Sequence, residues 1–229
     1  MIRLAVFDLD GTLKRARDPY VYLHRRLGTE ALSKPITEKG KRGELAYEEW
    51  LRQDVSLWRG VPRRVLEHHL RQNPYVPGAR EVVTALKEHG VEIAIISTGL
   101  LLHAELVAQE LGVRWAIGNE IFFEFDGKDW VVNGEVRAHC PYNGKGEVLA
   151  QLQERLGVAP EQTLSVGDTR GDVPMFRRSR VSVAVAPHHE DVAAAATLVL
   201  PDQDLRPLLK YIAQWLANEP VSLNNSIDT

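Results

Sequence analysis

The chain has 229 residues, with 28 Lys and Arg against 31 Asp and Glu and a net charge of −3. This balance disfavours a general nucleic-acid binder, which needs a basic surplus, and no apolar run nears the roughly 20 residues of a membrane-spanning helix. The single cysteine, Cys140, excludes an internal disulfide and a Cys-rich zinc site and is compatible with a reducing compartment.

Residues 2–7 are an apolar run that ends in Asp8-Leu9-Asp10-Gly11-Thr12. The run is too short for a signal-peptide core. It reads as a strand buried on both faces, as in a parallel sheet. Residues 14–77 contain no convincing strand; their spacing predicts helices over 20–32, 44–58 and 62–71, the last with Pro62 at the first helical position. From there helical periods at 78–89, 100–111 and 146–156 are interspersed with apolar runs at 91–96, 163–166, 181–185 and 197–200. Asp126-Gly127 between two apolar stretches predicts a β-hairpin within 117–132. Leu205, Leu208, Leu209, Ile212 and Leu216 mark a last amphipathic helix, and the polar stretch after Pro220 is expected to fray. Strand–helix alternation predicts an α/β domain with a mostly parallel sheet and a helical insert after the first strand.

Four places offer chemistry. Asp8 and Asp10 stand at the carboxyl end of the first strand, where open parallel sheets bind ligands. Two carboxylates there can divide the work of nucleophile and proton shuttle, and their repulsion calls for a nearby cation; a plain Asp-Gly turn is the alternative. Ser97-Thr98-Gly99 follows the strand at 91–96 and would cradle a phosphate with hydroxyl and N–H groups, or simply cap a helix. Lys145, flanked by Gly144 and Gly146, would neutralise phosphate charge, or be a solvated surface lysine. Asp168 and Asp172 in Gly167-Asp168-Thr169-Arg170-Gly171-Asp172 are hard oxygen ligands suited to Mg²⁺; Asp172 could equally cap the helix near Pro174.

In this order and spacing the four places resemble the motifs of the haloacid dehalogenase superfamily of phosphohydrolases. The likeness covers about residues 1–13 and 80–200, and Asp168–Met175 with the run through Pro187 most resembles its phosphoserine-phosphatase-like branch. The resemblance implies a Rossmann-like three-layer core over 1–13 and 78–229 and a small helical cap over 14–77. It also implies that Asp8 is the nucleophile and Asp10 the general acid and base. Ser97, Thr98, Gly99 and Lys145 would hold the phosphoryl group. Mg²⁺ would be held by Asp8, the Asp10 backbone carbonyl and Asp168, with Asp172 ligating through water or orienting Lys145. The substrate would be a small phosphorylated metabolite, with neither nucleic acid nor membrane as partner and a cytoplasmic location. Monomer and homodimer both stay open, as does phosphomutase against hydrolase on the motifs alone.

The cap departs from phosphoserine phosphatases. Where that branch carries a glutamate for the substrate ammonium, the count from Asp8 falls on Arg17; where it carries an arginine for the carboxylate, alignment of the helix at 44–58 gives Asp54. Both selectivity charges are inverted. Asp54 also falls within the apolar stripe of Tyr47, Trp50, Leu51 and Trp58, about 20° from Tyr47 at the helical period. A carboxylate there needs a partner: Arg15, Arg17 or Arg59 in an internal ion pair, or the substrate. The histidines offer no metal clamp, since His68-His69 and His188-His189 are adjacent and point apart on a helix. Trp115, Trp130 and Trp215 read as core or edge packing, with Trp130 and Phe125 also candidates for a dimer contact. Cap hinges are expected at 14–17 and 73–78. The leading expectation is an Mg²⁺-dependent phosphatase. The alternatives are phosphoserine phosphatase proper with a rearranged cap, or a non-catalytic phosphate-ligand sensor on the same fold.

Overall fold

The structure is a computed structural model that describes residues 1–217. The stretch after Pro220, expected to fray, lies outside the described residues. β1 (Leu4–Phe7) is followed by four helices, α1 (Pro19–Leu27), α2 (Glu30–Lys41), α3 (Tyr47–Ser56) and α4 (Arg63–Gln72). Then come α5 (Ala79–Glu88), β2 (Glu92–Leu100), α6 (Leu101–Leu111) and the hairpin strands β3 (Trp115–Phe125) and β4 (Trp130–Arg137). The rest is α7 (Lys145–Leu156), β5 (Thr163–Gly167), α8 (Val173–Phe176), β6 (Val181–Val185), α9 (Glu190–Ala195), β7 (Leu198–Leu200) and α10 (Leu209–Ala217).

The sheet runs β4-β3-β2-β1-β5-β6-β7, parallel except for the antiparallel β3–β4 pair. β1 sits at its centre, and its alternating side chains explain the layers. Ala5 and Phe7 join Val82, Val83 and Leu86 of α5, Ala104 and Val107 of α6, and Ile212 and Trp215 of α10. Leu4 and Val6 join Leu149 and Leu152 of α7, Met175 and Phe176 of α8, and Val192 of α9. Both faces are therefore covered, as a parallel sheet requires. The predicted three-layer α/β core is what the chain forms.

The helical segment differs in detail from its sequence pattern. The helix expected over 20–32 stops at Gly28, whose φ of +73° closes α1. A separate α2 follows and carries Pro35 inside it, a residue that argues against helix from sequence. Pro62 is the N-cap of α4 rather than its first helical residue. A third apolar cluster joins Tyr20 and Leu23 of α1, Leu51, Val55 and Trp58, and Leu66 and Leu70 of α4 to Leu102 and Leu106 of α6 and Val132 and Val136 of β4. The helices thus rest on the hairpin, and the Gly60 N–H donates to Val132 O while the Val132 N–H donates to Val61 O, each at 2.9 Å.

The two connections expected as hinges run side by side. Val76 N–H donates to Leu13 O and Arg15 N–H to Pro74 O, both at 2.9 Å, and Ala16 N–H donates to Asn73 Oδ1. Lys14 is buried with its ammonium 3.9 Å from the centre of the Tyr75 ring. Trp215 is core, whereas Trp130 is 59% exposed on the edge strand β4 and pairs with Phe125 at the hairpin tip, so of core and edge packing only the edge reading fits Trp130. No helix among the described residues is long and apolar enough to cross a membrane.

Cys140 is free, and burial pushes its thiol up to about 11. At mildly alkaline pH the native protein should resist iodoacetamide, while the denatured chain is alkylated. Mass spectrometry of both samples checks this; equal labelling would contradict the burial.

Candidate active site

The carboxyl ends of β1, β2 and β5 meet at one rim of the sheet. After Phe7 the chain turns sharply: Leu9 O accepts the N–H groups of Thr12, Leu13 and Lys14. Gly11 makes this possible with a φ of +96°, and a Cβ at Gly11 would collide with the Asp168 carboxylate. Gly167 is required for a similar reason, since a Cβ there would meet Asp172. The motif glycines are therefore set by the close approach of two carboxylates to the backbone.

Asp8 and Asp10 do not share partners. Asp8 Oδ1 accepts from Lys145 Nζ at 2.5 Å. Asp10 Oδ2 accepts from Ser97 Oγ at 3.3 Å, and Asp10 Oδ1 lies 3.0 Å from His103 Nδ1. Lys145 is neither a loop nor a surface lysine. It is the first residue of α7, is 1% exposed, and also donates to Asp172 Oδ1 at 2.5 Å. Asp172 Oδ2 accepts from the N–H groups of Asp168 and Thr169 and from Thr169 Oγ1, so its side chain reaches back to the turn and does not cap α8.

This geometry carries a strong electrostatic conflict. Burial raises Asp8 to about 7; Lys145 opposes the rise and Asp172 and Asp10 add to it. Burial, then the charges of Asp8 and Asp172, push Asp168 well above the usual carboxylate range. Burial opposes the Lys145 charge, but Asp172 and Asp8 outweigh it and hold the ammonium protonated. One oxygen from each of Asp8, Asp168 and Asp172 lies within 4.8 Å of the others, and Asp168 Oδ1 is buried without a hydrogen-bond partner. A hard divalent cation fits this donor set and would relieve the repulsion. Since both Asp172 oxygens are already engaged, Asp8 and Asp168 are the side chains left to face the ion, and Asp172 holds Lys145. The Asp10 carboxylate lies outside the cluster.

The Ser97–Gly99 segment lines the same cavity, but it is not a helix cap. β2 continues through Leu100, and α6 begins only at Leu101. Gly99 N–H donates to Ser97 Oγ at 2.9 Å, and Thr98 O accepts from Tyr47 Oη and Asn119 Nδ2. Asn119 Oδ1 also accepts the Cys140 N–H, so Asn119 ties β3 to the loop before α7. Sequence reasoning missed Asn119 and His103. His103 could have been noticed as a polar residue four positions after Gly99 in a helix whose neighbours Leu102 and Ala104 are buried. Asn119 left no signal in one chain.

The two cap candidates fare differently from expectation. Arg17 Nη1 binds Asp168 Oδ2 at 2.8 Å and Nη2 binds Ala186 O at 2.8 Å. Ala186 has a left-handed φ of +41°, a strained conformation for alanine. Arg17 therefore holds a core carboxylate and a strained loop. Asp54 is 4% exposed, and the basic side chain beside it is none of the expected arginines but His24, with Nε2 3.4 Å from Asp54 Oδ1. Asp8, Asp10, Ser97, Lys145, His24 and Asp54 all line one cavity of about 540 Å³.

A sequence model of haloacid dehalogenase-like hydrolases matches residues 5–177. Phosphoserine phosphatase from Methanocaldococcus jannaschii is 31% identical over 211 residues, which cover 92% of this chain and 97% of that protein. Two solved structures are similar across 92% of this chain and 98% of their own. One is a phospho-aspartyl intermediate analogue of phosphoserine phosphatase, with a TM-score of 0.76 at 29% identity. The other is a substrate-bound phosphoserine phosphatase complex, with a TM-score of 0.77 at 28% identity.

Cation and proton compete for Asp8, whose carboxyl is raised to about 7. The apparent Mg²⁺ affinity should therefore rise as pH climbs toward and through that value. Asp168→Asn should abolish the Mg²⁺-induced rise in melting temperature. Calorimetric titration and thermal melts check both; an unchanged Mg²⁺ response in the variant would remove Asp168 from the ion's ligands.

Proposed function

The chain belongs to the haloacid dehalogenase-like hydrolases, and we propose that it is an Mg²⁺-dependent phosphatase that cleaves a small phosphomonoester through an aspartyl phosphate on Asp8. It is a phosphoric monoester hydrolase of the phosphoserine-phosphatase-like branch. The observation that carries the mechanism is the bridge from Lys145 to both Asp8 and Asp172, beside Asp168 and across from an Asp10 with its own partners.

In the first half-reaction an Asp8 oxygen attacks phosphorus, the bond to the ester oxygen breaks, and Asp10 protonates the departing alkoxide. In the second, Asp10 takes a proton from water, the water oxygen attacks phosphorus, and inorganic phosphate leaves as Asp8 is regenerated. Lys145 and the Ser97–Gly99 segment would hold the phosphoryl oxygens. Bound Mg²⁺, held by Asp8, Asp168 and the Asp10 carbonyl, would neutralise phosphoryl charge and keep Asp8 ionised. The separate environments of Asp8 and Asp10 suit the division of roles. The Lys145 ammonium faces the nucleophile, whereas Ser97 and His103 fix the proton carrier.

His103 is a positioning residue in this scheme. It sets the direction of Asp10 through Nδ1 and is 1% exposed. Residues 14–77 would act as a cap that excludes water as the phosphoenzyme forms and readmits it for hydrolysis. Opening would pivot on the paired connections at 13–16 and 73–76 and break the contacts with Val132. The reading extends to a cytoplasmic location, which a free, buried cysteine suits. Phosphoserine itself is the second reading, favoured by similarity across 92% of the chain. The phosphate sensor has no support, because no acid of the set is missing.

Mg²⁺-dependent phosphate release from p-nitrophenyl phosphate should be lost in Asp8→Asn, by about 10³-fold or more in kcat. Beryllium fluoride with Mg²⁺ should protect the cap from proteolysis. Full activity in Asp8→Asn would remove it as nucleophile. His103→Ala should lower kcat by about 10-fold or more with KM little changed and should move the pH profile; an unaltered profile would make His103 merely structural.

A further inference from the structure

The cavity has a second polar end that the phosphoryl chemistry does not use. Four side-chain atoms there are buried and without a hydrogen-bond partner: Tyr20 Oη, His24 Nε2, Trp50 Nε1 and Asp54 Oδ1. They come from α1 and α3, and their residues line the same cavity as Asp8. Buried polar groups are normally satisfied, so four orphans along one wall of one cavity call for a ligand or water.

Their donor and acceptor character can be read from their neighbours. His24 Nδ1 lies 2.7 Å from Thr29 Oγ1, which can donate or accept, and 3.0 Å from Trp58 Nε1, which can only donate, so that nitrogen accepts. The His24 proton therefore sits on Nε2, which faces Asp54 Oδ1 at 3.4 Å. The indole Nε1 of Trp50 is a second donor. Burial keeps the Tyr20 phenol protonated, able to donate or accept. The wall thus sets N–H donors beside a carboxylate acceptor within a few ångströms.

We propose that this cap-side wall, formed by Tyr20, His24, Trp50 and Asp54, is a subsite for the hydroxyl groups of an uncharged polyol phosphate and rejects the carboxylate of an amino-acid phosphate. The inference rests on the phosphatase reading and names its substrate class. A hydroxyl donates one hydrogen bond and accepts others, so a single hydroxyl can receive from His24 Nε2 and donate to Asp54 Oδ1. A carboxylate only accepts and would face the Asp54 charge. An ammonium only donates and would leave the His24 and Trp50 N–H groups unpaired. Two cap-side cations line the cavity: Lys41 is exposed, Arg17 is held by Asp168 and Ala186 O, and neither belongs to this buried wall. The volume of about 540 Å³ accommodates a chain of several carbons beyond the ester.

The test is a matched panel with Mg²⁺: glycerol 1-phosphate and ribitol 5-phosphate against propyl and pentyl phosphate, phosphoethanolamine and L-phosphoserine. The polyol esters should exceed the alkyl esters of equal carbon number by about 10- to 10²-fold in kcat/KM, the range for leaving a buried donor or acceptor unpaired. They should also exceed L-phosphoserine and phosphoethanolamine. In Asp54→Asn the polyol-to-alkyl ratio should fall toward one. Equal turnover of polyol and alkyl esters would mean that water alone occupies the wall, and it would overturn the subsite, as would a preference for L-phosphoserine. Calorimetric binding of the same esters to the Asp8→Asn protein reads the ratio without turnover. Loss of all turnover with the binding preference kept would therefore strike the phosphatase reading and spare the subsite.

Discussion

One buried ammonium among three buried carboxylates governs the active end of this molecule. Lys145 touches Asp8 and Asp172, while Asp168 sits close by and is tied to Arg17. Burying an ion without a partner costs several kcal/mol, so the arrangement persists only because each charge is held by another or by oriented N–H groups. Lys145 satisfies two of the three acids, and Asp8 and Asp168 remain strained toward their protonated forms. That residual repulsion favours a divalent cation. It also explains why glycine stands at residues 11 and 167, because the carboxylates pack against backbone that can carry no side chain.

The sheet supplies the rigid frame for this conflict. Asp8 continues the register of β1, with its N–H on Val166 O, and Asp168 follows β5 directly, so two neighbouring central strands deliver two acids to one rim. α7 brings Lys145 across the rim in its first turn. The helical segment is coupled to the same rim by a short polar relay. Tyr47 Oη donates to Thr98 O, and Asn119 donates to both of these and accepts from Cys140 N–H. A change in the seat of α3 would therefore be felt at the Ser97–Gly99 segment, which would couple the proposed substrate wall on the helices to the proposed phosphate-holding segment of the core.

Much of this was visible along the chain, for a physical reason. The strand–helix alternation, the hairpin at Asp126-Gly127 and the helical insert follow from local periodicity and turn chemistry, and the structure forms each of them. The helix boundaries within the insert were less legible. Gly28 ends α1 through a left-handed φ, and Pro35 is tolerated inside α2. The four motifs were legible because each combines unusual residues at strand ends. His103 and Asn119 were not, because a single buried polar residue on an apolar element looks like any other until its partner across the fold is known.

Asp54 shows where the boundary between sequence and structure falls. The helical period alone determined that this carboxylate lies on an apolar face and needs a partner, since that depends only on residues a few positions away. The partner was decided by the tertiary structure: α1 and α3 cross so that His24 lies beside Asp54, with Trp58 directing the histidine proton. Arg17 makes the same point, as it reaches over 150 residues of sequence to Asp168 instead of facing Asp54. Sequence spacing specifies faces and strand ends through short-range geometry. Which charges meet depends on how separate elements pack, and that is a property of the whole fold.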